Sequence, residues 1–225
     1  MSDRSTATTL RWDVIVSQPF QENTYLVWLE ASPSCVIVDP GFEPGLVVER
    51  VGELGLVPTA ILNTHGHSDH IAGNESMKDR WPDCPLVIGE NDAEKLTDPQ
   101  LNLSAPFGVE LTSPPADKTL SHGETYRTGA LEFEIRETPG HSIGHIVFVC
   151  RQSKPWTVIG GDVLFRGRVG RTDFFDGSMD QLRTSIGDHL FSLPDETIVL
   201  PGHGPTTTVG EEKRTNPFVR DLADS

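Results

Sequence analysis

Thr64-His65-Gly66-His67-Ser68-Asp69-His70 is the stretch on which the reading of this chain turns. Three of the chain's eight histidines and an aspartate fall within these seven residues. Neutral imidazoles and carboxylates are the donors that Zn²⁺ and similar divalent cations prefer. His65 and His67, two apart, can point the same way from an extended loop, while Asp69 and His70 continue round to a second position. A His-rich surface loop without metal is the bland alternative, and the scarcity of histidine elsewhere argues against it.

Outward from this stretch, short β-branched runs alternate with turn signals. Residues 60–63 read as a strand that delivers the chain into the cluster, preceded by strands at 12–17, 24–29 and 36–38 and a helix at 44–54 that stops at Gly55. A helix at 74–81 and a strand at 86–88 follow. Residues 97–117 carry four prolines and little periodicity, which predicts a long loop or flap. Strands are then expected at 124–126 and 131–137 (a hairpin around Thr128-Gly129), 146–150, 157–159 and 198–200, with a helix at 179–191. Many short strands mixed with helices predict an α+β fold of two sheets flanked by helices.

The chain has 225 residues with 33 acidic against 18 basic side chains, a formal charge of -15. That field repels nucleic acid and anionic membrane, so neither is an expected partner. There is no apolar run of bilayer-spanning length. Residues 1–10 are expected to be a flexible terminus and 11–225 one domain, as a monomer or small homo-oligomer. Cys35, Cys84 and Cys150 lack CxxC spacing and read as reduced, largely buried thiols, which predicts a cytoplasmic protein.

Three later residues qualify as further donors, each just after an expected strand. His141 lies in Thr-Pro-Gly-His-Ser, Asp162 in Gly-Gly-Asp-Val-Leu-Phe and His203 in Leu-Pro-Gly-His-Gly. A glycine beside each lets backbone approach closely without a Cβ clash. His145 reads as a buried structural residue, and His122 and His189 as ordinary loop and helix residues. Residues 140–144 also fit the G-x-S-x-G nucleophile elbow, but that motif needs a following helix, and an apolar strand-like run follows instead.

The ordered set His-x-His-x-Asp-His, His141, Asp162 and His203 resembles the metallo-β-lactamase superfamily. Within it the chain is most similar to the short, single-domain bacterial type of glyoxalase II (hydroxyacylglutathione hydrolase), from Val38-Asp39-Pro40-Gly41 to Asn216-Pro217-Phe218. The resemblance implies an αββα sandwich with the site at one edge of two mixed sheets. It implies that His65, His67 and His141 hold one metal, that Asp69, His70 and His203 hold another, and that Asp162 bridges both. Asp39 matches a position that supports the ligand loop. Two divalent ions are therefore expected, Zn foremost, with Fe or Mn also compatible with these donors.

Two such cations lower the pKa of water to about 7, and a bridging hydroxide, aimed by Asp69 as the catalytic carboxylate, would attack the substrate carbonyl. No general acid is evident, which suits a thioester such as S-D-lactoylglutathione, because a thiol leaves readily with a pKa of about 8.5. Arg166, Arg168 and Arg171 follow Asp162 closely. Arg168 and Arg171 are candidates to hold a substrate carboxylate; the alternative is that these arginines pair with Asp173 and Asp176. In full-length glyoxalase II a Lys and a Tyr bind glutathione at this segment, and here Arg171 and Asp173 stand in their places. The usual C-terminal glutathione-binding helical domain is also missing, since 22 residues follow His203. The rival readings are a glutathione persulfide dioxygenase with one iron on His65, His141 and Asp162, another small ester, lactone or β-lactam hydrolase, and a non-catalytic metal-binding module.

Overall fold

Tyr25 and Val27 enter one apolar core while Leu26 between them enters another, so their strand is buried on both faces. That double burial is why the central strands read as continuous apolar runs, whereas strands with one open face, such as Leu131–Glu137, alternate. The computed structural model describes residues 9–224. Residues 1–8 of the expected flexible terminus lie outside them, but Leu10 does not belong with that stretch: it is buried and opens the first strand.

The first sheet runs in chain order through β1 (Leu10–Ser17), β2 (Glu22–Leu29), β3 (Ser34–Val38), β4 (Val57–Leu62), β5 (Leu86–Gly89) and β6 (Lys118–Leu120). β1, β2 and β3 are antiparallel neighbours, and β3 to β6 are parallel. The second sheet contains β7 (Thr125–Thr128), β8 (Leu131–Glu137), β9 (Ile146–Cys150) and β10 (Thr157–Gly161). A small hairpin of β11 (Leu164–Phe165) and β12 (Arg168–Val169) interrupts it, and β13 (Ile198–Pro201) and β14 (Thr207–Thr208) complete it. β10 and β13 pair in parallel.

Between the sheets, Tyr25, Val36, Leu62 and Val87 meet Phe133, Ile135, Phe148 and Leu200. The outer face of the first sheet packs on α1 (Pro44–Glu53), α2 (Ser68–Ile71) and α3 (Asn74–Arg80) through Val47, Val51, Ile71 and Met77. The outer face of the second packs on α4 (Met179–Ser185), its π-helical continuation Ile186–Leu190, and α5 (Val209–Thr215). The result is an αββα sandwich. The expected helix over 179–191 is thus two segments, and α4 starts where the Ser178 side chain accepts the Gln181 N–H. Residues 97–117 are irregular apart from a 3₁₀ turn at Ala105–Phe107.

Topology places the site. β3 and β4 are parallel and end at one edge; β8, β10 and β13 also share a direction, because β9 is antiparallel to both β8 and β10. The two sheets are stitched together at that edge. Asn23 Nδ2 and the Tyr25 hydroxyl both donate to the Pro201 carbonyl at 2.9 Å, and the Ile146 N–H donates to the Thr64 carbonyl at 2.8 Å.

Candidate metal centre

The loops leaving β3, β4, β8, β10 and β13 carry Asp39, residues 65–70, His141, Asp162 and His203 respectively. Their donor atoms converge into three overlapping groups, each with all atoms within 4.8 Å of one another: His65, His67 and His141; His65, His70 and Asp162; Asp69, His70 and His203. Asp162 lies between the outer two, with Oδ1 3.5 Å from His70 Nε2 and Oδ2 3.5 Å from His141 Nε2 and 3.6 Å from His203 Nε2. Every residue that the family resemblance assigned to the two metals is therefore brought to one place.

Four imidazoles share a pattern: Nδ1 is tied to an oxygen, which leaves Nε2 facing the cluster. His65 Nδ1 is 3.0 Å from Thr64 Oγ1, and His70 Nδ1 is 3.1 Å from Asp39 Oδ2. His141 Nδ1 is 2.8 Å from the Arg171 carbonyl, and His203 Nδ1 is 3.2 Å from the Gln21 carbonyl. Such partners select the tautomer and hold the ring plane. His67 differs, its Nδ1 lying 2.9 Å from His141 Nε2. Asp39 also accepts from the Thr64 N–H at 2.8 Å and from Thr64 Oγ1 at 2.7 Å, so one carboxylate fixes both the loop backbone and His70.

Buried polar atoms normally find partners. His65 Nε2, His67 Nε2, His70 Nε2 and Asp162 Oδ1 are buried and make no hydrogen bond among the described residues, His70 Nε2 and Asp162 Oδ1 standing 3.5 Å from each other. Unpartnered nitrogen and carboxylate oxygen turned toward one point fit divalent cations held by neutral imidazole and carboxylate.

Backbone strain gathers here as well. Among the described residues, the non-glycine residues with positive φ are Gln21, Asp39 and Leu103. Gln21 supplies the carbonyl facing His203, Asp39 holds His70, and Leu103 lines the adjoining cleft. Conformations disfavoured for L-residues persist where surrounding structure enforces them, often at functional sites. Gly202 shows the close approach expected from sequence, since a Cβ there would land on Asp162 Oδ1.

Electrostatics divide the histidines. Burial, then the neighbouring imidazoles, drives His65 and His67 well below the usual histidine range, and burial lowers His141 and His145 too. For His70 burial acts in the same sense, but Asp69, Asp162 and Asp39 outweigh it and raise its pKa. His203 is also raised: burial lowers it, and Asp69 and Asp162 prevail. Burial would raise Asp69, yet His70 and His203 bring it down to about 2.

These shifts predict how the chelator-treated protein responds to pH. Unfolded histidine titrates near 6.5, so below that pH the unfolded chain binds protons that His65, His67, His141 and His145 refuse in the fold, and stability falls with acidification. His70 and His203 act oppositely: their contribution is complete below about 6.5 and is lost as pH rises through their higher folded values. Between about pH 6.5 and 5 His70 and His203 therefore add no further change, and buried Glu22, whose raised pKa favours the fold on acidification, opposes the four lowered histidines alone, so a net loss is expected. The thermal midpoint of the chelator-treated protein should fall across that window; a midpoint that climbs would contradict this charge distribution.

Other residues take up supporting positions. His145 is buried, with Nε2 accepting the Asp162 N–H at 3.1 Å, so it steadies the aspartate's backbone. His122, in the turn between β6 and β7, and His189, in the π-helical segment, pack on each other with ring centres 4.8 Å apart. Ser142 of the G-x-S-x-G match is buried; its hydroxyl donates to Asp92 and accepts from Lys95 Nζ. That buried network, unread in the sequence, continues from Lys95 Nζ to Asp176 Oδ2 at 2.6 Å, while Asp92 accepts the N–H groups of Gly66 at 2.9 Å and Gly144 at 2.8 Å. It ties together the loops bearing His65 and His67, His141, and Phe174. The Phe174 ring lies 5.0 Å from that of His67 and 5.5 Å from that of His141. Both arginines singled out from sequence line the cleft, but Arg171 is paired bidentately with Asp173 at 2.9 and 2.8 Å.

An αββα sandwich with a histidine-aspartate cluster at the shared edge of its sheets is the frame of a metal-centre protein. The chain belongs to the metallo-beta-lactamase superfamily, whose family model matches residues 17–203. It is 38% identical over 95% of its length to the whole of the probable metallo-hydrolase YqgX of Bacillus subtilis. It is 36% identical to the hydroxyacylglutathione hydrolase GloC of Haemophilus influenzae, covering 92% of this chain and 97% of that protein. Among solved structures, the BLEG-1 B3 metallo-beta-lactamase superposes with a TM-score of 0.88 at 34% identity, covering 93% of this chain and 99% of that one. TTHA1623 in a di-iron-bound form gives a TM-score of 0.80 at 36% identity, covering 92% and 100%. No helix among the described residues is long and apolar enough to cross a membrane.

Proposed function

We propose that the protein is a dinuclear metallohydrolase that cleaves small-molecule thioesters of the S-D-lactoylglutathione kind. His65, His67 and His141 would hold one divalent cation, Asp69, His70 and His203 the other, with Asp162 shared. The observation that carries this reading is the pair of complete donor sets meeting at Asp162, with buried, unpartnered donor atoms turned inward. A single-metal oxygenase on His65, His141 and Asp162 would leave Asp69, His70 and His203 without a role, and those three donors are gathered here as well.

Divalent cations bound there supply Lewis acidity and bring the pKa of water to about 7. The chain's own residues supply orientation. Asp69 stays ionised, lines the cleft and accepts a hydrogen bond from entering water, directing its lone pair at the substrate carbonyl. Phe174 covers the outer side of His67 and His141 and restricts water there. The cleft lining contains no Lys, Tyr, Cys or Glu among the described residues, its histidines, His67, His141 and His203, would be held by metal, and ionised Asp69 cannot donate a proton. A leaving amine would need such a donor; a leaving thiolate does not. The kinship with GloC supports the same substrate class.

Metal analysis with two assays tests the proposal. About two metals per chain and release of free thiol from S-D-lactoylglutathione are expected. One iron per chain, with oxygen uptake on glutathione persulfide, would replace the hydrolase by the dioxygenase.

A further inference from the structure

The cleft above the donor cluster has a volume of about 640 Å³, enough for a molecule the size of a peptide thioester. Its lining divides by chemistry. Arg166 and Arg168, on the β11–β12 hairpin, are exposed, and neither guanidinium has a partner among the described residues. Arg171 is spent on Asp173 and lies over the Phe174 ring at 4.8 Å. The hairpin is held from beneath by the C-terminal segment: buried Glu212 accepts the Gly167 N–H at 2.8 Å, and Asn216 Nδ2 donates to the Arg168 carbonyl at 3.0 Å. Two unpaired cations are thus presented on a fixed backbone.

The remaining wall is apolar. Phe20, from the β1–β2 turn, and Phe107, from the 3₁₀ turn of the 97–117 segment, meet edge to face at 6.0 Å beside Leu103. Phe107 is 69% exposed and Phe20 41%, a cost in water that a covering ligand removes. Leu103 is held at φ 68°, so this wall is enforced by backbone that leucine rarely adopts. A short hydroxylated acyl group gives such a surface little to cover.

We infer that the cleft takes thioesters with an apolar acyl arm seated on Phe20, Leu103 and Phe107, and a thiol arm ending in an anion held by Arg166 and Arg168. The inference rests on the thioester reading of the site and names the substrate class within it.

Calorimetric titration of the metal-loaded protein with three thioethers tests it: S-benzylglutathione, S-methylglutathione, and S-benzylglutathione with both carboxyls amidated. S-benzylglutathione should bind about tenfold more tightly than either of the others, since each lacks one arm. Phe107→Ala should bring the benzyl-to-methyl ratio toward one, and the double variant Arg166→Gln/Arg168→Gln the acid-to-amide ratio. All of these side chains are exposed or line the open cleft, and circular dichroism checks that the variants fold. Equal affinity for the benzyl and methyl ligands, or no binding of any probe at millimolar concentration, overturns the inference. So does collapse of the acid-to-amide ratio in Arg171→Gln instead of the double variant. Thioethers cannot be hydrolysed, so these titrations read the cleft whether or not the protein cleaves thioesters; absent turnover of S-D-lactoylglutathione counts against the hydrolase alone.

Discussion

Replacing Asp162 with alanine is expected to strip metal from both halves of the site, whereas His203→Ala strips it from one. Asp162 contacts donors of both sets, at 3.5 Å to His70 and His141 and 3.6 Å to His203, while His203 belongs to one set alone, with Asp69 and His70. The carboxylate is also the charge that lies among three imidazoles, so its loss removes the central negative group from the cluster. Thiol release from the test thioester should fall by roughly 10³-fold or more in Asp162→Ala, about 4 kcal/mol of transition-state stabilisation. Metal content by atomic emission should fall from about two per chain toward zero in that variant and toward one in His203→Ala. Asp162→Ala retaining two metals would show that the sets are independent and that the shared carboxylate is not their link.

Lys95→Met is expected to give the largest loss of stability away from the donors. Lys95 is 4% exposed, and its ammonium lies 2.6 Å from Asp176 Oδ2 and 3.2 Å from Asp92 Oδ1, with Ser142 as a third partner. Methionine preserves most of the volume but leaves two buried carboxylates without their cation. Breaking a buried pair on one side costs about 3–5 kcal/mol. Urea unfolding should show a loss of that order with the slope unchanged. Because Asp92 holds the Gly66 and Gly144 backbones, the variant should also bind metal more weakly. A loss below about 1 kcal/mol would mean that the network is solvated and acts as a surface ion pair.

What could be read from sequence, and what could not, follows from how each feature is encoded. Residues 64–70 gather four donors within seven positions, and His141, Asp162 and His203 each follow an apolar strand, so chemistry and periodicity agreed. The core strands were equally plain because burial on both faces leaves them almost free of polar residues. α2 escaped notice because four residues carry no helical period. α5 had a usable signal, Thr208 three before Glu211, and the Thr208 side chain does accept the Glu211 N–H. The buried network could not be joined by inspection: Asp92 and Lys95 stand three apart, but Ser142 and Asp176 lie 47 and 81 residues beyond Lys95, and all look like surface residues until folding buries them. The arginines pose the opposite problem. Arg166, Arg168 and Arg171 are alike in sequence, and only the fold shows that Arg171 is bound to Asp173 while the other two face the cleft unpaired.

The stitching of β2 to β13 has a consequence for how the protein is made. Glu22 bridges to His203, and Asn23 donates its N–H to Gly202 at 2.7 Å, so residues from opposite ends of the chain complete the same rim. A chain emerging from the ribosome presents His65, His67, Asp69 and His70 long before His141 and His203 exist. Its early half therefore displays an open, unbalanced cluster of donors, and the rim that orders them closes only once Gly202 and His203 have been made.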